Sequence, residues 1–159
     1  MIFITLGSQK FQFNRLLKEI DTIVEKNLIS EEIFAQTGYS DYKPRFYRYK
    51  DFLDYDAFVN KIDKSRLVIT HGGTGAIINA VKAKKKVIAV PRLAKYGEHV
   101  DDHQKQIVDV FSNMGYVVPC YDTKNLYTLI SSIKNKKIKP YVSNTHEYIL
   151  NISEFIDKI

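Results

Sequence analysis

The sequence has 159 residues, 45% of them hydrophobic, enough for one well-sized core but hardly for two. Lys and Arg outnumber Asp and Glu by 24 to 18, a formal net charge of +6, and the single cysteine, Cys120, excludes an internal disulfide. No stretch approaches the roughly 20 uninterrupted apolar residues of a membrane span, and the apolar run in MIFITLGSQKF is too short for a secretory signal, so a cytoplasmic location is expected.

Ile2 to Leu6 is a continuous apolar run ending at Gly7, which predicts a strand buried on both faces. Phe13, Leu16, Leu17, Ile20, Ile23 and Val24 then recur at helical spacing. Strands are predicted near Ile33 to Thr37 and Arg45 to Tyr49, followed by a helix from about Asp54 to Lys64. Next come a strand Leu67 to Thr70, a helix Gly75 to Lys84, a strand Val87 to Val90, a helix near Asp102 to Asn113 and a strand Tyr116 to Val118. Helices near Thr123 to Lys134 and His146 to Lys158 complete the pattern, the last with Ile149, Ile152, Phe155, Ile156 and Ile159 on roughly one face. Strand and helix alternate with short connections, which predicts parallel strands joined by right-handed crossovers. The expected fold is α/β: a single Rossmann-like doubly wound parallel sheet with helices on both faces, spanning 1–159 as one domain.

Two basic runs, Lys82 to Lys86 and Lys134 to Lys139, could meet nucleic acid, an anionic bilayer or an anionic ligand. They read equally as solvated helix ends, where lysine suits the negative end of the macrodipole.

The glycines point to one rim. Gly7, Gly38, Gly72, Gly73 and Gly75 lie at or just beyond the carboxyl ends of predicted strands, and Gly97 sits in the loop after another. Ligands of open α/β sheets bind outside those ends. In ITHGGTGAIINA, residues 69–80, the glycines open onto a helix start, whose unsatisfied N–H groups and partial positive charge suit an anion; Thr74 adds a hydroxyl donor. The loop lacks the Gly-Lys-Ser/Thr ending of a P-loop and has Ile78 where a dinucleotide fingerprint needs its third glycine, so neither an NTPase nor a nicotinamide enzyme is expected. Residues 90–107, VPRLAKYGEHVDDHQKQI, then concentrate Glu98, His99, Asp101, Asp102, His103 and Gln104, a cluster expected beside the glycine loop.

From residue 69 to 107 the chain resembles the nucleotide-sugar-binding half of the MurG-like GT-B glycosyltransferases. It is more similar still to the catalytic subunit of the two-part UDP-GlcNAc transferase of the dolichol pathway and to its bacterial relatives in capsule and exopolysaccharide synthesis. FITLGSQKFQFNRLL and FAQTGYS carry the same resemblance, which covers about the first three quarters of the chain. It implies one half of a GT-B fold, with Gly7, Ser8 and the loop His71, Gly72, Gly73, Thr74, Gly75 facing the diphosphate and sugar of a UDP-sugar. Phe52 and Leu53 would lie against the uracil, and Asp102, His103 and Gln104 would reach the sugar and phosphates. Asn79 stands where these families carry a glutamate that accepts both ribose hydroxyls, and an asparagine offers one acceptor oxygen beside an NH2.

The resemblance further implies inverting transfer of a hexose to a lipid-linked saccharide, with no metal or other cofactor. Glu98 and His99 are the candidate bases, unless the base lies in a partner. With one domain where a GT-B enzyme has two, the chain is expected to need a membrane-anchored, acceptor-binding partner subunit that recruits it to the inner face of the plasma membrane. The terminal apolar stripe serves either that docking or the chain's own core.

Other patterns carry plainer readings. Asp54-Tyr55-Asp56 spells a metal-binding Asp-x-Asp, but Asp54 stands at a helix start, where aspartate is a favoured N-cap. His99 and His103 lack a third zinc ligand at a fixed spacing. Tyr42 to Lys50 interleaves aromatics with cations as single-strand platforms do, but the acidic residues 98–102 oppose phosphate chains, and no nucleic-acid partner is expected. A basic nucleic-acid-binding module and a scaffold subunit that binds no UDP-sugar are the two alternatives to the transferase reading.

Overall fold

The computed structural model describes residues 1–142 together with Ile149, Ser153 and Ile156. Six strands form one parallel sheet: β1 (Ile2–Thr5), β2 (Ile33–Gln36), β3 (Arg48–Lys50), β4 (Leu67–Thr70), β5 (Lys86–Ala89) and β6 (Val118–Pro119). Their order is β3-β2-β1-β4-β5-β6, with Ile2 of the central strand opposite Ile33 on one side and Leu67 on the other. Within residues 1–142, five α-helices connect or follow them: α1 (Asn14–Glu25), α2 (Tyr55–Lys64), α3 (Thr74–Lys82), α4 (His103–Asn113) and α5 (Leu126–Ser132).

Successive residues of a strand point to opposite faces, so apolar strands without polar alternation need cover on both. Ile2, Ile4, Ile33, Leu67, Ile69 and Ile88 pack on one side with Leu16, Leu17 and Ile20 of α1 and Leu126 and Ile130 of α5. Phe3, Val68, Val87 and Ala89 pack on the other with Ile62 of α2, Ile77, Ala80 and Val81 of α3 and Val108 of α4. Each fully buried Ile, Leu or Phe contributes about 1.5–3 kcal/mol relative to exposure. This is the doubly wound sheet expected from the alternation.

Some boundaries differ from the expected ones, each for a local reason. The strand expected from Arg45 starts only at Arg48, because the amides of Arg45 and Phe46 donate to the buried Asp21 carboxylate at 2.8 and 3.1 Å and so cannot join the ladder. The strand expected over Tyr116 to Val118 is the pair Val118–Pro119, at the sheet edge where a proline without an N–H is tolerated. The helix expected from Thr123 is a 3-10 turn, Thr123–Asn125, opened by Asp122 accepting from the Lys124 amide, then α5 and a second 3-10 turn, Ile133–Asn135. The helix expected over 146–158 lies outside the described residues apart from Ile149, Ser153 and Ile156; Ile149 and Ile156 are exposed.

Two lysines of the first basic run, Lys85 and Lys86, have structural partners at the amino end of β5. Lys86 Nζ donates to the carbonyls of Ile133, Lys134 and Lys136 at 2.8, 2.5 and 3.2 Å, and Lys85 Nζ to that of Asp63 at 2.7 Å. That edge of the sheet is opposite the glycine rim.

Candidate active site

The chain runs outward from β1 through β2 to β3 on one side, and from β4 through β5 to β6 on the other. The loops after β1 and β4 therefore part at the centre of the sheet, the switch point where such folds bind ligands. A cleft of about 460 Å³ opens there. Gly7, Ser8 and Gln9 form one wall, His71, Gly73, Thr74, Gly75 and Ala76 another, and Gln36, Leu53, Tyr55 and Phe58 the side toward β2 and α2.

His71 organises the two loops. Its Nδ1 lies 3.3 Å from the Thr5 carbonyl, and the ring is buried between Gly7 and Gly73. A Cβ on Gly7 would come within 2.5 Å of the ring, and one on Gly73 within 2.3 Å. Gly7 also has φ +71°, which disfavours any side chain. Burial first, then the Arg92 charge and more weakly that of His99, pull the imidazole pKa down to about 4, against the Thr5 carbonyl, which raises it. His71 is thus neutral at physiological pH; with its Nδ1 proton on Thr5, Nε2 carries a lone pair.

Gly73, the residue before α3, offers no side-chain cap, so the first-turn amides of Thr74, Gly75 and Ala76 receive no acceptor from it. Asn79, one turn on and exposed, does not line the cleft; it donates its Nδ2 to the Gly75 carbonyl at 2.9 Å, which leaves its Oδ1 as the free acceptor. Gln36 donates to the Gly7 carbonyl at 3.4 Å, while its Oε1 is buried with no partner among the described residues.

Several expected site residues stand elsewhere. Phe52 does not line the cleft: it is half exposed and meets Tyr39 edge to face at 5.1 Å, leaving Leu53 and Tyr55 at the wall. Gln104 is buried, accepts from the Arg92 amide at 3.1 Å and backs Gly72 through its Cβ, so its role is to support the loop from behind. Asp102 accepts from the Ala94 amide at 2.9 Å, and His103 is exposed with its amide on Asp101 at 3.0 Å; neither lines the cleft.

Glu98 is not placed to act as a base. It is fully buried, its oxygens accept from Arg15 Nε and Nη2 at 3.0 and 2.9 Å, and Oε2 also takes the Leu93 amide at 3.0 Å. A carboxylate buried and committed to three donors is not presented to a substrate. His99 does not line the cleft either. It packs on Phe11 at 4.9 Å, across the β1 loop from the cleft, with Nδ1 on the Asp101 carboxylate at 3.1 Å. Accepting the His103 amide is the first cause holding the Asp101 carboxyl below its ordinary range, so the acid that orients His99 is ionised.

Asp54 caps α2, its Oδ1 accepting from the Ala57 amide at 2.8 Å. In the aromatic-basic stretch 42–50, Tyr42 and Tyr47 turn their hydroxyls inward, to Asp21 at 2.6 Å and to the Leu17 carbonyl at 3.1 Å. Those two rings are not open stacking platforms.

Residues 1–158 match the Glycosyltransferase family 28 C-terminal domain. The chain belongs to this family. Among its relatives is the UDP-N-acetylglucosamine transferase subunit ALG13 of Saccharomyces cerevisiae, 35% identical over 80 residues that make up 50% of this chain and 38% of the yeast protein. The chain spans less than half the length of the curated relatives it matches, from 38% to 47%. Among solved structures, MurG of Acinetobacter baumannii superposes with a TM-score of 0.59 at 18% identity, over 85% of this chain and 41% of that one. A solution structure of ALG13 superposes with a TM-score of 0.56 at 20% identity, over 89% of both chains. These likenesses show the fold.

Within the family 28 domain, Gln36 and Tyr55 are cleft residues that sequence reasoning missed. Gln36 carried a readable signal, as an amide side chain near the carboxyl end of a predicted strand; Tyr55 carried none, since an aromatic in the first turn of a helix reads as packing. A larger groove of about 860 Å³ runs along the outer side of α1 to Tyr96 and Lys124. It has no glycine loop, and Arg15, its deepest cation, is already paired with Glu98, so the switch-point cleft is the better ligand site of the two.

Proposed function

We propose that this chain is the UDP-sugar-binding, catalytic subunit of a two-part inverting glycosyltransferase, moving a hexose from the UDP-sugar to a lipid-linked saccharide. The observation that carries this reading is the cleft at the switch point of a family 28 domain, where Gly7, Gly73, neutral His71 and the uncapped start of α3 converge. The diphosphate sits against the α3 amides and the β1 loop, and the uracil toward Leu53 and Tyr55. When the sugar leaves, negative charge grows on the UDP. Preorganised N–H donors at a helix start meet that charge, each contributing about 3 kcal/mol of transition-state stabilisation. Neutral donors of this kind do the work without a metal ion.

The acceptor hydroxyl loses its proton either to His99, oriented by Asp101, or to a group of the partner. The acceptor site belongs to a membrane-anchored subunit. One sheet of this kind is one half of a GT-B fold, and the curated relatives are themselves named as subunits. The chain works on the cytoplasmic side, held at the inner face of the plasma membrane through that partner. The relatives' names speak for N-acetylglucosamine as the donor sugar; the likeness of residues 97–103 to the bacterial branch speaks for a capsule or exopolysaccharide acceptor. The test is a titration of the isotope-labelled chain with UDP, followed through the amide resonances of residues 7–9 and 71–76. These are expected to shift together, and a spectrum unmoved by UDP would end the reading.

A further inference from the structure

Arg92 follows β5 and is completely buried, the bulkiest side chain so enclosed among the described residues. Its Nη2 donates to the carbonyls of Leu6 at 2.8 Å and Phe11 at 3.1 Å, the two ends of the loop whose Gly7, Ser8 and Gln9 line the cleft. Its amide donates to Gln104, which backs Gly72. One residue thus joins the loops after β1, β4 and β5 from beneath.

This arrangement is costly for the ligand-free fold. Arg92 Nε and Nη1 are buried without a partner among the described residues. Glu98, the carboxylate whose charge reaches Arg92, has its oxygens occupied by Arg15 and the Leu93 amide. Two guanidinium groups against one carboxylate leave a net positive charge under the rim. Burial lowers the Arg92 pKa only to about 10, so the charge persists at neutral pH. A buried cation short of partners destabilises a fold, and an apolar side chain of similar volume is often tolerated better in its place.

We propose that Arg92 is a positioning residue of the cleft: it holds the Gly7–Ser8–Gln9 loop in its binding shape, and its uncompensated charge is answered by the diphosphate of the bound nucleotide. The inference rests on the reading of the cleft as a UDP-sugar site. Arg92 acts through the loop backbone and through its field, which low-dielectric surroundings screen weakly, and needs no direct contact with the ligand. Lysine keeps the charge but replaces the rigid guanidinium, which aims Nη2 at two carbonyls, with an ammonium on a flexible stem; methionine loses both the charge and the donors.

The experiment compares UDP with uridine, which lacks the phosphates, by calorimetric titration of the full chain, its Arg92→Lys and its Arg92→Met variants, each checked for folding by urea denaturation. Arg92→Met is expected to weaken UDP by about tenfold or more while uridine stays within about twofold, with Arg92→Lys between. A purely structural role would move both ligands equally or neither, and that result overturns the inference. Should Arg92→Met not fold, an unchanged UDP-to-uridine ratio in Arg92→Lys overturns it. Wild-type protein that ignores UDP defeats the cleft's reading and this inference with it; wild-type binding with an unchanged ratio in the variants defeats this inference alone.

Discussion

His71 is enclosed by Gly7 and Gly73, and the two glycines are explained by the ring they flank as much as by any ligand. Gly73 has ordinary backbone angles, so replacing it by alanine tests the contact alone. Gly73→Ala is expected to displace the imidazole and cost about 1–3 kcal/mol in urea unfolding, with UDP binding lost alongside. Gly75→Ala is the contrasting case, since nothing lies within 4 Å of its added Cβ and the site is helical; it is expected to gain about 0.5–1 kcal/mol in the same measurement. Equal losses in the two variants would contradict this account of His71. The imidazole also makes a pH prediction. It takes its proton near pH 6.5 when unfolded and near 4 when folded. Between those values the unfolded state binds more protons, so stability falls as pH falls, by about 3 kcal/mol in total. His71→Asn is expected to flatten that part of the decline between pH 6.5 and 4, read from unfolding midpoints at each pH.

Among the elements, α1 shows how a helix can shape a distant loop. Asp21, buried on its inner face, accepts from the Tyr42 hydroxyl and from the amides of Arg45 and Phe46. This delays β3 until Arg48, and it was invisible in the sequence, where Asp21 looks like an ordinary polar position between Ile20 and Ile23. Asp21→Ala is expected to cost about 3 kcal/mol by urea unfolding, because it leaves two amides and a phenol without their acceptor; a cost under about 0.5 kcal/mol would mean that water replaces the carboxylate freely. The strand–helix alternation itself was legible, since continuous apolar runs and helical spacing report burial that only a covered parallel sheet provides. The edge elements were less so: β6 retains two ladder positions, one of them Pro119, and the expected helix from Thr123 is broken at both ends into 3-10 turns.

For the whole molecule, the proposed two-part function makes a prediction of its own. The isolated chain is expected to bind UDP yet transfer almost no sugar to a lipid-linked acceptor, with activity restored on co-expression with its partner, measured by release of UDP. Full transfer by the purified chain would remove the need for a partner. What the sequence by itself determined was the α/β sheet, the glycine rim at the strand ends and the family likeness, because these are written in local spacing and in contiguous motifs. Which side chains share the cleft was decided only by the tertiary structure. Glu98 and His99 are neighbours in the chain, yet one is locked in an ion pair beneath the rim and the other is held by Asp101 beside the β1 loop. Nothing in the sequence sets Arg92 apart from the other cations; the fold encloses it. Burial and pairing depend on elements far apart in the chain, and those are the quantities that set whether a charged group can act on a ligand.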